Sequence, residues 1–385
     1  MIAVHAGLRD RPAYLDYNAT TPIDPRVLDA MMPYLTVEFG NPSSSHTYGR
    51  SSALALHEAR EHVAELIAAR PDEIVFTGSG TEADNLAIRG VVLASGKARP
   101  HIVTQATEHP AVLAACEHLA RFHHADITVL PVDDVGLVDP AAVAAAITPT
   151  TVLVTIMHAN NETGTIQPIT EIAHATRAAG VLLHCDAAQS LGKIDVDVAA
   201  LGVDLLTIVG HKMYAPKGIA ALYVRNGVDL VPLIGGGGQE NGRRAGTENV
   251  AYAVGLGVAA ELARTALQQG ETPRLTLLRD HLLATLQDRL PGRVHLNGHP
   301  DQRLPNTLNV SIDHAPALNI LATVPEVAAS AGSACHAGRD EPSPVLTAMG
   351  IPAARALTAL RLSMGRWTTQ EEVDRAADVL MAAAG

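Results

Sequence analysis

Apolar residues in this chain fall into two textures. Short continuous apolar runs stand between glycines and polar turns, and longer stretches between them carry helical spacing. The short runs at 73–77, 101–105, 127–132, 151–157, 181–185, 205–209 and 220–224 predict strands buried on both faces. Helices are expected over about 51–69 and 82–94, and in a long region near 249–289. This alternation predicts an α/β unit with a mostly parallel sheet. Ligands in such units bind beyond the carboxyl ends of the strands. The residues just after the runs are therefore expected to share one site: Gly80 and Thr81; Glu108 and His109; Asn160, Asn161 and Glu162; Asp186 and Gln189; His211 and Lys212.

At 385 residues, nearly half of them apolar, the chain is long enough for a large unit and a smaller one. The division expected is 15–259 for the large unit, and 1–14 with 260–385 for the small one. Alanine is abundant and aromatics are scarce, which suits close packing of helices on a sheet. A net charge of −12 without clustered Lys or Arg argues against nucleic acid as a partner. Cys116, Cys185 and Cys335 are too few and too scattered for a disulfide framework, and no C-x-x-C pair suggests zinc. The N-terminus lacks the apolar core of a signal peptide, and no segment reads as a membrane span. A soluble protein of the reducing cytoplasm is expected.

Chemistry concentrates at two strand ends. Lys212 follows the buried run 205–209. Desolvation there would lower the pKa of its ammonium and make the amine a nucleophile, suited to a Schiff base with a carbonyl or with pyridoxal 5'-phosphate. A surface lysine in a turn is the plain alternative. Asp186 ends the run before it and would supply the carboxylate that such a cofactor needs against its ring nitrogen. Gly78-Ser-Gly-Thr81 between a strand and a helix makes a ready phosphate site, although Thr81 and Asp84 also fit an ordinary helix cap.

Gly78, Gly80 and Ala83 match the G-x-G-x-x-A dinucleotide fingerprint too, which keeps a nicotinamide oxidoreductase as a remote alternative. The same spacing recurs at Gly255, Gly257 and Ala260 inside an alanine-rich helix. Cys335 sits among small residues and could be an accessible thiol or a buried small hydrophobe. His336 beside it could serve as a base. Arg361, on a short strand, fits either a carboxylate clamp or a structural ion pair. The pair His123-His124 reads as a solvated helix end, without further ligands at metal spacing.

Taken together, these motifs resemble the pyridoxal-phosphate-dependent cysteine desulfurases and selenocysteine lyases, of the class V aminotransferase group. The resemblance runs from Tyr14-Leu-Asp-Tyr-Asn-Ala-Thr-Thr-Pro22 to Arg361-Leu-Ser-Met-Gly-Arg366. It takes in F-G-N-P-S-S, T-G-S-G-T-E-A-D-N-L-A, T-E-H-P-A-V, A-N-N-E-T-G, H-C-D-A-A-Q-S-L-G-K, G-H-K-M-Y-A-P-K-G, G-G-G-Q-E, G-T-E-N and G-S-A-C.

The resemblance implies a homodimer of fold type I, with a large domain built on a mostly parallel sheet and a smaller α/β C-terminal domain that carries the cysteine loop. It implies Lys212 as the Schiff-base lysine and proton carrier, Asp186 at the ring nitrogen, and Gln189 and Asn161 near the ring hydroxyl. His109 would stack on the ring and assist acid–base steps. Gly80, Thr81 and His211 would hold the phosphate, with Thr247 reaching it from the other subunit. Arg361, with Asn161 near, would bind the substrate carboxylate. Cys335 would take sulfur from L-cysteine as a persulfide, leaving L-alanine, and pass it to an acceptor protein, iron–sulfur cluster assembly being one pathway so served.

The stretch from Cys335 to Pro342 fits the branch with the longer cysteine loop. Val209 stands where many members have Ser or Thr, so one hydroxyl contact to phosphate is missing. V-G-H-K, C-H-A-G and P-S-P-V-L also look like the selenocysteine lyase branch, which makes release of selenide from L-selenocysteine the alternative activity.

Overall fold

Seven of the strands form one sheet in the order β2-β8-β7-β6-β5-β3-β4. They are β2 (Ile74–Thr77), β3 (His101–Gln105), β4 (Asp126–Leu130), β5 (Thr151–Thr155), β6 (Leu182–Asp186), β7 (Leu205–Val209) and β8 (Ala220–Val224). The structure is a computed structural model and describes residues 5–332 and 341–385. From β4 to β7 all neighbours are parallel, whereas β8 runs antiparallel to both β7 and β2. All strands but β8 therefore end at the same edge of the sheet. Such edges host ligands.

The apolar runs place the strands within about two residues, and β2, β3, β5, β7 and β8 are buried along their whole length. β4 differs: Asp126 and Val129 are exposed, because it is an edge strand with no neighbour beyond it. The other edge is closed by a side chain. Glu240 accepts from the Phe76 N–H of β2 at 2.9 Å and pairs with Arg60 at 2.7 Å.

One face of the sheet carries α1 (Pro25–Thr36), α2 (Thr47–Leu66) and the Val250–Gln268 helix, through a core that includes Met31, Ala59, Val63, Leu206, Ile208 and Leu256. The other face carries α3 (Gly80–Ala94) and α4 (Pro110–His123), with Leu86, Val91, Val112 and Leu119 inside. Helices approach closely where side chains are small. A Cβ on Gly257 would meet Ala59 Cα at 2.6 Å, and one on Gly255 would meet Met31 Sδ at 2.6 Å. The second glycine fingerprint is thus a helix-packing feature.

The same helix corrects an expectation. Val250–Gln268 is long and apolar enough, on length and composition, to cross a membrane. It is apolar because Ala253, Leu256, Ala259, Ala260 and Ala263 are buried against the sheet unit. The helical region near 249–289 is also two helices, separated at Gly270, whose φ of 84° interrupts the run before the Glu271–Arg289 helix begins.

A second core surrounds the antiparallel sheet β12-β10-β9, made of β9 (Val294–Leu296), β10 (Thr307–Ile312) and β12 (Ala359–Ser363). Leu278, Leu282 and Leu286 of the Glu271–Arg289 helix and Val373 and Leu380 of the Gln370–Ala384 helix pack on it. Near the N-terminus β1 (Ala13–Tyr14) pairs in parallel with β11 (Val327–Ala328), and the chain then passes into the sheet unit through Asn18.

Candidate active site

A cavity of about 690 Å³ opens at the common strand edge. Gly80 and Thr81 follow β2; Glu108 and His109 follow β3. Asn161 and Glu162 follow β5, Asp186 and Gln189 come from the end of β6, and His211 and Lys212 follow β7. Arg361 of β12 closes the far wall, with Pro344 and Val345 beside it.

Two sequence candidates do not line the cavity. Asn160 is buried, with its side chain donating to Thr107 O at 3.0 Å and accepting from the Glu162 and Thr163 N–H groups at 2.9 Å, so it shapes the loop from within. Thr247 is exposed on the segment before the Val250–Gln268 helix. Cys335 and His336 lie outside the described residues.

Lys212 closes a 3₁₀ turn, Gly210–Lys212, that directly continues β7. The turn is tight, since a Cβ on Gly210 would meet Ile219 O at 2.8 Å. From there the Lys212 ammonium donates to Asn18 O at 2.7 Å and Ala19 O at 2.8 Å.

Asp186 is the last residue of β6, beside Thr207 of β7, and is buried. Burial pushes its carboxyl pKa upward, opposed by His109, the Ala188 N–H that it accepts at 2.9 Å, and Lys212. His109 caps α4, its Nδ1 accepting from the Ala111 N–H at 3.2 Å. That bond leaves the ring proton on Nε2 in the neutral form. Burial lowers the imidazole pKa and Lys212 lowers it further, while Asp186 raises it. His211 is driven down to about 4 by burial and by nearby Lys212, Lys217 and Lys193, and its Nδ1 lies 3.1 Å from Thr20 Oγ1.

The helix start at Gly80 is built differently from the expected cap. Ser79, not Thr81, is the capping residue, accepting from the Glu82 N–H at 3.1 Å, and Glu82 accepts from the Gly78 N–H at 2.9 Å. Thr81 is thereby left exposed at the first turn. Asp84, displaced from the cap, is buried in the cavity floor with Oδ1 3.8 Å from His184 Nε2. Burial, followed by Asp186, raises its pKa well above the carboxylate range. Burial likewise pushes Glu108 up to about 8, although it accepts the Met157 N–H at 2.6 Å. Sequence reasoning missed this acid layer: a single Asp within a helix carries no sign of facing another carboxylate.

Arg361 is 1 % exposed, forms the structural ion pair with Asp16 and also lines the cavity. It donates to Asp16 at 2.7 Å, Ser330 Oγ at 3.2 Å and Asn161 O at 3.2 Å. Its Nε has no partner among the described residues. The His123-His124 pair ends α4, with His124 in the left-handed conformation at φ 54°.

The family description Aminotransferase class-V matches residues 13–376. The chain belongs to that family. Its members depend on pyridoxal 5'-phosphate, which is the cofactor here, and the architecture is that of the fold type I enzymes.

Cysteine desulfurase IscS of Dictyoglomus turgidum is 46% identical over 372 residues, 96% of this chain and 94% of that protein. A cysteine desulfurase of Trichormus azollae is 48% identical over 369 residues, 95% of this chain and 91% of the relative. Among solved structures, a NifS-like protein superposes with a TM-score of 0.88 at 34% identity, covering 97% of this chain and 98% of its own. A structure described as SspA in complex with cysteine has a TM-score of 0.80 at 37% identity, covering 92% and 99%.

Membership in the class-V family removes the nicotinamide alternative, and the topology agrees. The Gly78–Ala83 fingerprint follows β2, an edge strand paired antiparallel, rather than the first strand of a parallel βαβ unit.

The donor set fits the cofactor chemically. A buried carboxylate, a lysine amine, an imidazole and a helix N-terminus match a ring nitrogen, an aldehyde carbon, a ring face and a phosphate. The absence of a side chain at Gly80, where a Cβ would fall 2.6 Å from Val209 Cγ2, leaves a cradle at the helix start.

Proposed function

We infer that the protein is a cysteine desulfurase, which takes the sulfur of L-cysteine and leaves L-alanine. The observation that carries this reading is the convergence of Lys212, Asp186 and Arg361 on one cavity, in a chain similar along nearly its whole length to proteins named cysteine desulfurase. The cofactor supplies an electron sink. The residues do the rest.

Lys212 would hold the cofactor's aldehyde carbon and carry the substrate Cα proton. Asp186 would serve the ring nitrogen, and His109 would offer its Nε2–H at the ring. Gln189 and Asn161 would serve the ring hydroxyl. Gly80, Thr81, His211 and the first backbone N–H groups of α3 would receive the phosphate. Arg361 binds the substrate carboxylate through a guanidinium already oriented by Asp16.

Cys335 takes the sulfur. A bond forms between its Sγ and the substrate sulfur, the Cβ–S bond breaks, and the electron pair stays with carbon, which gains a proton. The products are alanine and a Cys335 persulfide, which hands its sulfur to an acceptor protein.

A homodimer is part of this reading. Support comes from the exposed apolar side chains Leu28, Met32, Leu35, Phe39, Tyr48 and Leu54 on and between α1 and α2, and from Thr247, exposed where it could complete a partner's phosphate site. Free, buried Cys116 and Cys185 suit a reducing cytoplasm.

The test is alanine formation from L-cysteine and from L-selenocysteine with a reductant, for the wild type and Cys335→Ala. Substantial cysteine turnover that vanishes in the variant is expected. Turnover of selenocysteine alone, retained in the variant, would reassign the protein as a selenocysteine lyase.

A further inference from the structure

Behind Gln189, and outside the residues lining the cavity, Lys193 is buried at 7 % exposure. Its Nζ donates to Gln189 O at 2.9 Å and to Gln189 Oε1 at 3.2 Å. The backbone beneath it is fixed from a distant helix start, where Thr272 Oγ1 donates to Lys193 O at 2.7 Å. The other end of the Gln189 amide is also held, Nε2 donating to Asn18 O at 3.1 Å. Turning that amide over would set its NH₂ against an ammonium and its oxygen against a carbonyl. The contact with the Asn18 carbonyl repels whatever the charge of Lys193, and the contact with Lys193 repels while it is an ammonium, so the present orientation is favoured.

We propose that Lys193 is a positioning residue: it fixes the Gln189 amide so that Gln189 meets the ring oxygen of the bound cofactor as a donor and not as an acceptor. The inference rests on the reading above in which Gln189 faces the ring hydroxyl. A buried lysine with no carboxylate partner among the described residues is unusual, and here the ammonium donates to one residue that lines the cavity. Burial, together with the charges of Lys212 and Arg361, brings the Lys193 ammonium down to about 7. Neutral or charged, its amine still has N–H groups for the Gln189 oxygens.

The experiment measures equilibrium binding of pyridoxal 5'-phosphate, and of its analogue lacking only the ring hydroxyl, to the full chain freed of cofactor. Lys193→Met is compared with the wild type and with Gln189→Leu, and Lys193→Gln covers the case in which the methionine variant does not fold. Lys193→Met is expected to weaken pyridoxal 5'-phosphate on the order of tenfold, while the hydroxyl-free analogue binds as in the wild type. Gln189→Leu is expected to show the same selectivity.

Equal loss for both ligands, or no loss for either, would overturn the role of Lys193. If Gln189→Leu discriminates and the Lys193 variants do not, only this inference fails. If Gln189→Leu itself does not discriminate, the placement of Gln189 fails and the inference with it.

Discussion

Gly80 begins α3 with its Cα against the Val209 side chain at the end of β7, so adding one methyl group perturbs from below the end of the cavity proposed to take the phosphate. The Cβ of Gly80→Ala falls 2.6 Å from Val209 Cγ2. Carbon atoms in good contact stand about 3.5–4.0 Å apart, so the overlap is close to a full ångström. Gly80 is not among the residues with positive φ, and alanine is the better helix former by up to about 1 kcal/mol, so backbone and propensity do not oppose the change. The contact decides the sign. Overpacking of this kind costs about 1–3 kcal/mol, and the relief available, displacement of α3 or of the Lys212 turn, shifts groups assigned above to the cofactor.

Val209→Ala removes the atom in conflict. Alone it deletes two methyl groups at 6 % exposure, at a cost of about 1–2 kcal/mol. If the contact governs, the double variant should be no less stable than Val209→Ala, and the coupling between the sites should reach about 1–3 kcal/mol. The measurement is the urea midpoint of the cofactor-free chain for the wild type, both single variants and the double variant, with cofactor affinity read in parallel. Costs that add to within about 0.5 kcal/mol, as for independent sites, would refute the reasoning.

Two further outcomes follow from the electrostatics and the walls of the site. Burial raises the Glu108 pKa from 4.5 to about 8, so between those values the folded chain holds a proton that the unfolded chain has released, and stability falls as pH rises through the window. Glu108→Gln keeps the oxygen that accepts the Met157 N–H and should flatten that fall by an amount on the order of a few kcal/mol; parallel urea midpoints from pH 5 to 8 with equal slopes would count against it. Arg361→Lys retains a charge but loses the planar fork held by Asp16 and Asn161 O. The KM for cysteine should rise about tenfold or more with cofactor affinity nearly unchanged, and steady-state kinetics showing an unaltered KM would remove Arg361 from substrate binding.

Where the sequence is legible, a physical rule links position to role. A strand buried on both faces is a run of apolar residues, and the polar residue that ends it arrives at the sheet edge; this is why Asp186 and Lys212 could be paired across neighbouring strands before any coordinates. β4 escaped the rule because edge position is a property of the whole sheet: Thr128, Val129 and Leu130 carry no mark that nothing lies beyond them. Asn160 escaped it for the opposite reason. It stands at a strand end like its neighbours, but its amide is consumed in holding the loop that presents Asn161 and Glu162. Asp84 fitted a cap pattern in sequence, and the cap went to Ser79 because the helix starts two residues earlier, at Gly80 rather than Glu82.

What the sequence could least disclose is the part of the site made by contacts across the chain, and Asn18 shows why this matters to function. Its N–H donates to Ser363 Oγ at 3.0 Å, its Nδ2 to Thr307 Oγ1 at 2.8 Å and Asn161 O at 3.2 Å, and its Oδ1 accepts from Asn306 Nδ2 at 3.0 Å. Its carbonyl accepts from both Gln189 and Lys212. The side chain is therefore bound largely to the unit built on β10 and β12, while its backbone oxygen orients two polar groups of the seven-stranded unit. The lysine and the amide are thus referred, through one residue, to the same unit that carries Arg361 on β12. In this arrangement the groups assigned to the cofactor and the guanidinium assigned to the substrate's carboxylate share a common anchor, so a change at Asn18 would disturb all of them at once.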